Sequence, residues 1–174
     1  DVVDVIREDA DRSLMSMAGL DEDADTFAPF TRAAPRRAIW LGINLITAFI
    51  AASVINLFQD TIEKVVALAV LMPIVASMGG VAGTQTLTLV VRGIAMGQVV
   101  KNNQAWLINR ELMIGVMNGV LWAAVVAIAA SLWFHDWNIG LLIAAAMVIN
   151  LVTAALMGAV LPLLMTRASI DPAL

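Results

Sequence analysis

The 174-residue chain contains no cysteine, no tyrosine and a single histidine. Without cysteine it forms no disulfide, thiolate metal site or cysteine nucleophile. One histidine is too few for a histidine metal cluster, and the apolar segments hold no pair of a nucleophile and a base, so the sequence does not predict an enzyme. Basic residues are not interleaved with aromatic ones along any stripe, which argues against a nucleic-acid partner.

Charged residues are scarce and unevenly distributed. They make up 14% of the chain, against 61% hydrophobic residues and a mean hydropathy of +0.89, whereas an average soluble domain is about 25% charged. Residues 1–34 hold nine of the fourteen acidic residues and three of the ten basic ones, a net charge of −6. The acidic pI of about 4.8 therefore comes from this segment. The remainder is almost continuous apolar sequence, which predicts an integral membrane protein.

Four uncharged windows are long enough to cross a membrane, since about 20 mainly apolar residues suffice. They comprise residues 38–59, 65–91, 112–134 and 137–166. They predict an all-α fold, a polytopic transmembrane helix bundle with four membrane spans. In this topology nine of the ten Lys and Arg residues lie on the side that holds both chain ends, and only Lys64 lies on the other. Both ends are therefore predicted to be cytoplasmic.

Residues 1–35 and 36–174 are predicted to form separate parts of the protein. The first part begins with a cytosolic amphipathic helix that ends near Gly19 and continues as an acidic, proline-containing linker. The second part is the transmembrane domain. Within it, residues 93–110 predict a short interfacial helix, and Glu111 is interpreted as marking a span end.

The second window differs from an ordinary transmembrane segment in its small and polar residues. On a helical wheel most of them form two nearly opposite stripes. The first stripe contains Pro73, Ser77, Gly80, Thr84 and Thr88; the second contains Gly79, Gly83 and Thr86; Gln85 lies between them. Two glycines four residues apart are typical of close helix packing, whereas exposed backbone and hydroxyls at this depth are typical of the wall of a watery path. The wheel leaves open which stripe packs and which lines a path.

Uncharged polar residues also occur within the other windows. We expect them to form hydrogen bonds between helices in preference to binding ions. They are Asn44, Ser53, Asn150 and Thr153.

The sequence of residues 72–93, MPIVASMGGVAGTQTLTLVVRG, resembles the signature of the MgtE family of magnesium channels. The resemblance continues into residues 158–162 and 170–174, which are similar to the end of that family's fourth membrane helix and the turn after it. Residues 1–6 are similar to the end of the family's CBS domain, where it runs into a connecting helix. The resemblance thus covers essentially the whole chain.

The resemblance implies a homodimer in the lipid bilayer of the inner (plasma) membrane, with cytosolic N and CBS domains and five membrane helices per subunit. It implies a pore on the dimer axis, lined by the second and fifth spans, that conducts Mg²⁺ and is closed by cytosolic Mg²⁺. The expected pore-lining residues are Pro73, Ser77, Gly79, Gly80, Gly83, Thr84, Gln85 and Thr88. The expected regulatory metal site comprises Asp4, Glu8, Asp9 and Asp11.

The chain departs from the family pattern in two respects. Val81 stands where the family usually has an asparagine, and Leu174 falls where the fifth span, with its ion-holding aspartate, is expected to begin. A different class of protein, a gradient-coupled secondary transporter of divalent cations, is the alternative. That class predicts inverted repeats and ionisable residues within the spans, and neither feature is found in the four windows.

Overall fold

The structure, a computed structural model, describes residues 29–168. Its elements are α1 (Phe30–Asn56), α2 (Gln59–Lys64), α3 (Val66–Ala95), α4 (Gln104–Phe134) and α5 (Trp137–Arg167). No strand occurs among these residues, so the predicted all-α fold is confirmed. The predicted amphipathic helix before Gly19 and the candidate regulatory site formed by Asp4, Glu8, Asp9 and Asp11 lie outside the described residues.

Helices α1, α3, α4 and α5 are each long and apolar enough to cross a membrane, which confirms the prediction of four spans. Helices α3 to α5 have 30 or 31 residues each. At about 1.5 Å per residue, such a helix is roughly 45 Å long and therefore exceeds a hydrocarbon core of about 30 Å. Each of these helices can reach through the headgroup region on at least one side.

The connection between α3 and α4 is shorter than the sequence suggested. Helix α3 continues to Ala95 and α4 already begins at Gln104, so the prediction of a separate interfacial helix within residues 93–110 is wrong. The loop between them turns at Gly97, whose φ is +66°. The Asn103 side chain closes the loop, because its amide nitrogen donates to the Gln98 carbonyl at 2.8 Å and its oxygen accepts from the Val100 N–H at 2.9 Å.

The described residues form two units, one of residues 29–59 with α1 and one of residues 60–168 with α3, α4 and α5. In the second unit α5 packs along both α3 and α4, whereas α3 and α4 meet each other at few positions. Its core has three layers along the helices. They contain Leu71, Ala130 and Ile143 in the first layer, Ala123, Met147 and Leu151 in the second, and Val90, Ala159 and Leu163 in the third.

Glycines let α4 approach α5 closely. A Cβ atom at Gly115 would lie 2.9 Å from the Ala155 Cβ, and one at Gly119 would lie 3.3 Å from the Val148 Cα. A Cβ at Gly140 would lie 2.7 Å from the Ala127 carbonyl oxygen. Without a driving force from water, such close packing of small residues is a main source of helix association in a membrane.

Candidate pore-lining face

One stripe of α3 packs against α5 and is called the packing face here: Gly79, Gly83 and Thr86. A Cβ at Gly79 would overlap the side-chain amide of Asn150, and a Cβ at Gly83 would lie 3.6 Å from the Ala154 carbonyl oxygen. Thr86 is 6% exposed. The glycine pair therefore serves close contact between two helices of the same chain, which is the packing interpretation of the motif.

A hydrogen bond from α5 crosses to α3 beside this contact. The side-chain amide of Asn150 donates to the backbone carbonyl of Val75. The expected interhelical bond of Asn150 is thus confirmed. The bonds recorded for Asn44 and Ser53 lie within α1, where their side chains donate to carbonyl oxygens of their own helix at 3.0 and 2.8 Å. Both acceptors lie four residues earlier, where a short polar side chain easily reaches the backbone.

The other stripe of α3 is open and is called the open face here; its residues are Pro73, Ser77, Gly80, Thr84, Gln85 and Thr88, all exposed. Five residues line a shallow open groove of about 510 Å³ on this side of the helix: Gly80, Val81, Thr84, Gln85 and Thr88. A Cβ at Gly80 would have no neighbour within 4 Å. All the residues that line the groove belong to α3.

The lining of the groove is mainly apolar, and its polar side chains are those of Thr84, Gln85 and Thr88. The Thr84 hydroxyl donates to the Gly80 carbonyl at 2.9 Å, so its hydrogen is used within the helix and its lone pairs remain as acceptors. Thr88 adds a second hydroxyl and Gln85 an amide oxygen. Val81 contributes an apolar side chain that is 55% exposed. Such a surface suits a cation that keeps its water shell, because hydroxyl and amide oxygens can accept hydrogen bonds from that water.

The structure thus separates the eight predicted pore-lining residues into two groups. Six lie together on the open face, and the remaining two, Gly79 and Gly83, lie against α5. The wheel could not distinguish the stripes because both consist of small residues. The neighbours on α5 make the difference, and they are far away in sequence.

A buried acidic residue lies behind the groove. Glu111 is 2% exposed; its Oε2 accepts from the Thr86 hydroxyl at 3.2 Å, and its Oε1 accepts from the Arg110 guanidinium at 2.8 Å. The sequence interprets Glu111 as marking a span end; in the structure α4 begins earlier, at Gln104, so Glu111 lies within the helix and not at its end. Glu111, Gly115 and Gly119 are spaced four residues apart and lie on the same buried face of α4. This spacing is the sequence pattern that could have identified Glu111 as a buried residue.

Residues 29–168 contain no group of three or more acidic, histidine or cysteine side chains that could hold a metal ion. A carboxylate ligand for an ion in the groove is therefore not among the groove's own residues. The polar groups that the described chain offers there are two hydroxyls and one side-chain amide, all of them neutral.

These features define a polytopic α-helical membrane protein with an oxygen-bearing open face on one span. A family model described as "MgtE: Divalent cation transporter" matches residues 72–174. The chain belongs to the MgtE family, as the resemblance of residues 72–93 indicated.

Three curated relatives match essentially the whole chain, and each carries the name magnesium transporter MgtE. The protein of Bacillus subtilis is 30% identical over 174 residues, all of this chain and 39% of the relative. That of Enterococcus faecalis is 31% identical over 173 residues, 99% of this chain and 38% of the relative. That of Thermus thermophilus is 26% identical over 179 aligned positions, covering all of this chain and 39% of the relative. The chain thus spans about two fifths of the length of these relatives.

Proposed function

We propose that the chain is the pore-forming part of a magnesium transporter that works as a channel, with the open face of α3 as part of the conducting path. The observation that carries this proposal is the groove, in which hydroxyl and amide oxygens line an open cavity on a membrane-spanning helix. Mg²⁺ binds oxygen ligands and dehydrates reluctantly, so it usually keeps several waters. The names of the relatives support Mg²⁺ as the cargo.

A second copy of the chain and a fifth span from each subunit would close the groove into a pore. Two observations support this homodimeric arrangement. The groove is open on one side, and polar groups at this depth are tolerated only against protein or water. Capture of a divalent cation also favours a carboxylate, and a further span is where the family resemblance expects one.

Both ends of the chain are proposed to lie on the cytoplasmic side of the inner membrane. The end of α3, the start of α4 and the end of α5 lie together, as the bond from Arg167 to Gln104 at 3.0 Å indicates. Basic residues collect at this end of the second unit, namely Arg92, Lys101, Arg110 and Arg167. Such an excess is characteristic of the cytoplasmic side.

Cytosolic Mg²⁺ would regulate this pore through the acidic N-terminal segment, together with the protein's own CBS and N domains. Asp4, Glu8, Asp9 and Asp11 are close in sequence. Carboxylates that are close together repel each other, and a divalent cation bound among them relieves that repulsion. Mg²⁺ would therefore stabilise whichever arrangement brings them together, and the family resemblance identifies this as the closed state.

The alternative, a secondary transporter driven by a proton or sodium gradient, gains support from the buried carboxyl group of Glu111. Ionisable groups within spans often serve ion coupling. The channel is favoured because Glu111 bonds to Arg110 and to the packing face of α3, and not to the groove.

The two candidates are distinguished by flux through the full-length protein in proteoliposomes. We expect Mg²⁺ to enter down its own gradient when pH and Na⁺ are equal on both sides. The Gly80→Leu variant, which fills the groove without touching α5, is expected to abolish this flux. Flux that stops without a proton or sodium gradient would contradict the channel and support the coupled transporter.

A further inference from the structure

The hydrogen bond between Thr86 and Glu111 lies on the opposite side of α3 from the groove. At about 100° per residue, Thr84 and Thr88 each lie about 160° away from Thr86 around the helix. Thr86 faces the interior of the second unit at 6% exposure, and Glu111 meets it there at 2% exposure. The direction in which Thr86 points therefore sets the direction in which the groove faces.

This bond joins two helices that otherwise meet at few positions. Helix α5 separates most of α3 from α4, yet the Thr86 hydroxyl and Glu111 Oε2 are 3.2 Å apart. The Arg110 guanidinium holds the other carboxylate oxygen at 2.8 Å. One oxygen of Glu111 is thus anchored near the helix start, and the other is directed at α3.

The contacts of α3 with α5 complement this bond. Gly79 and Gly83 allow close approach, while the buried side chains of Leu71 and Val90 and the bond from Asn150 to the Val75 carbonyl resist rotation of α3 on the side of α5. A hydrogen bond is directional and weakens steeply when its angle departs from linearity. The bond from Thr86 to Glu111 therefore adds to these contacts a directional restraint on the rotation of α3 that comes from α4.

We infer that Glu111 is a positioning residue: through the Thr86 hydroxyl it helps to fix the rotation of α3, and so it keeps the groove on the side of α3 opposite Thr86. The effect depends on the bond and not on the charge of Glu111. The expected effect on Mg²⁺ flux rests on the proposed function, because it assumes that the groove conducts ions. The rotation of α3 does not, because it can be measured without transport.

These 174 residues contain no cysteine, so introduced cysteines can be labelled selectively here once any cysteine elsewhere in the full-length protein has been replaced by serine. Spin labels at Thr84→Cys on α3 and Met117→Cys on α4 would report the distance between the two helices' outer faces by electron–electron resonance in the full-length protein. Met117 is 68% exposed and Thr84 is exposed, so both sites accept a label. We expect one narrow distance distribution within each subunit when Thr86 and Glu111 are unaltered; in the proposed homodimer, mixing with unlabelled protein keeps distances between subunits out of the measurement.

Three substitutions separate the bond from the charge. Thr86→Val removes the hydroxyl at nearly constant volume, Thr86→Ser keeps the hydroxyl, and Glu111→Gln keeps an acceptor oxygen but removes the charge. We expect Thr86→Val to broaden or shift the distribution and to lower Mg²⁺ flux several-fold. Thr86→Ser and Glu111→Gln are expected to retain the narrow distribution and most of the flux. Thr153→Val, an exposed threonine on α5, is the matched control and should change neither.

An unchanged distribution in Thr86→Val would overturn the inference, as would a broad one in Glu111→Gln alone, since the charge would then be the acting feature. If Thr86→Val is not recovered in folded form, Thr86→Ala takes its place, because the smaller side chain leaves room for a water beside Glu111. Failure of the proposed function gives a different result: no Mg²⁺ flux from the unaltered protein, whatever the distances are.

Discussion

Gly83 and Gly158 bring the backbones of α3 and α5 into direct contact. A Cβ at Gly158 would lie 2.7 Å from the Gly83 carbonyl oxygen and 3.0 Å from the Thr86 Cβ. The neighbouring atoms belong to backbone and to the first carbon of a side chain, so none can rotate away. This contact fixes the separation of the helix that carries the groove from the helix that supports it.

Gly158→Ala is therefore expected to destabilise the protein. Overpacking of this kind typically costs about 1–3 kcal/mol, because the backbone must shift to accept the added methyl group. The measurement is the midpoint of thermal unfolding in detergent, followed through tryptophan fluorescence. Gly80→Ala is the control, since its Cβ meets nothing within 4 Å, and it should leave the midpoint unchanged or raise it. Because alanine also has the higher helix propensity, a midpoint for Gly158→Ala as high as that for Gly80→Ala would show that the added methyl group at position 158 costs nothing against α3.

Leucine at Gly80 and leucine at Gly79 should have different effects: the first should block transport, and the second should prevent folding. Gly80→Leu extends into the groove, and we expect normal abundance and a normal elution profile with little or no Mg²⁺ flux. Gly79→Leu would collide with Asn150, and we expect loss of the folded protein itself. Size-exclusion profiles and proteoliposome flux measure the two effects separately. Normal flux in Gly80→Leu would remove the open face from the conducting path.

The wheel of α3 shows how far the sequence alone can go. It predicts two opposed stripes of small residues, and both are present because helical periodicity is a local property. It could not assign them, since the partner residues Asn150, Ala154 and Gly158 lie more than a full helix further along the chain. Only the packing of α5 shows that Gly79 and Gly83 are covered and that Thr84 is not.

Glu111 shows a second limit of prediction from the sequence, because its surroundings come from other helices. A charged residue that ends an apolar window predicts a boundary at that position. A helix, however, ends where its backbone turns, here at the loop around Gly97, and not where an isolated charge occurs. The carboxylate is accommodated inside because Arg110 and Thr86 both donate to it. Pairing of this kind depends on tertiary structure, which no single-helix pattern reveals.

Gly79 and Asn150 should behave as a coupled pair in a double-mutant cycle. Gly79→Ala alone is expected to push the Asn150 amide off the Val75 carbonyl, because the new Cβ would occupy the place of that amide. Asn150→Ala alone loses the same interhelical bond, which in a membrane averages about 0.6 kcal/mol. In the double variant the methyl group added at position 79 enters space that the amide has vacated, so the combined loss should fall short of the sum by about 0.5 kcal/mol or more. Additive losses in thermal or chemical unfolding would show that the two residues do not share this space.

Thr84 tests the chemistry of the groove without changing its shape. Thr84→Val preserves the volume and removes the oxygen, and it also removes the bond to the Gly80 carbonyl. Because that bond lies within one exposed helix turn, we expect little change in stability. If groove oxygens hold the water shell of a passing Mg²⁺, flux at limiting Mg²⁺ concentration should fall several-fold, whereas flux at saturating concentration should change less. Thr84→Ser restores the oxygen and should restore the flux. Equal fluxes in the valine and serine variants at every Mg²⁺ concentration would mean that the Thr84 hydroxyl takes no part in ion binding.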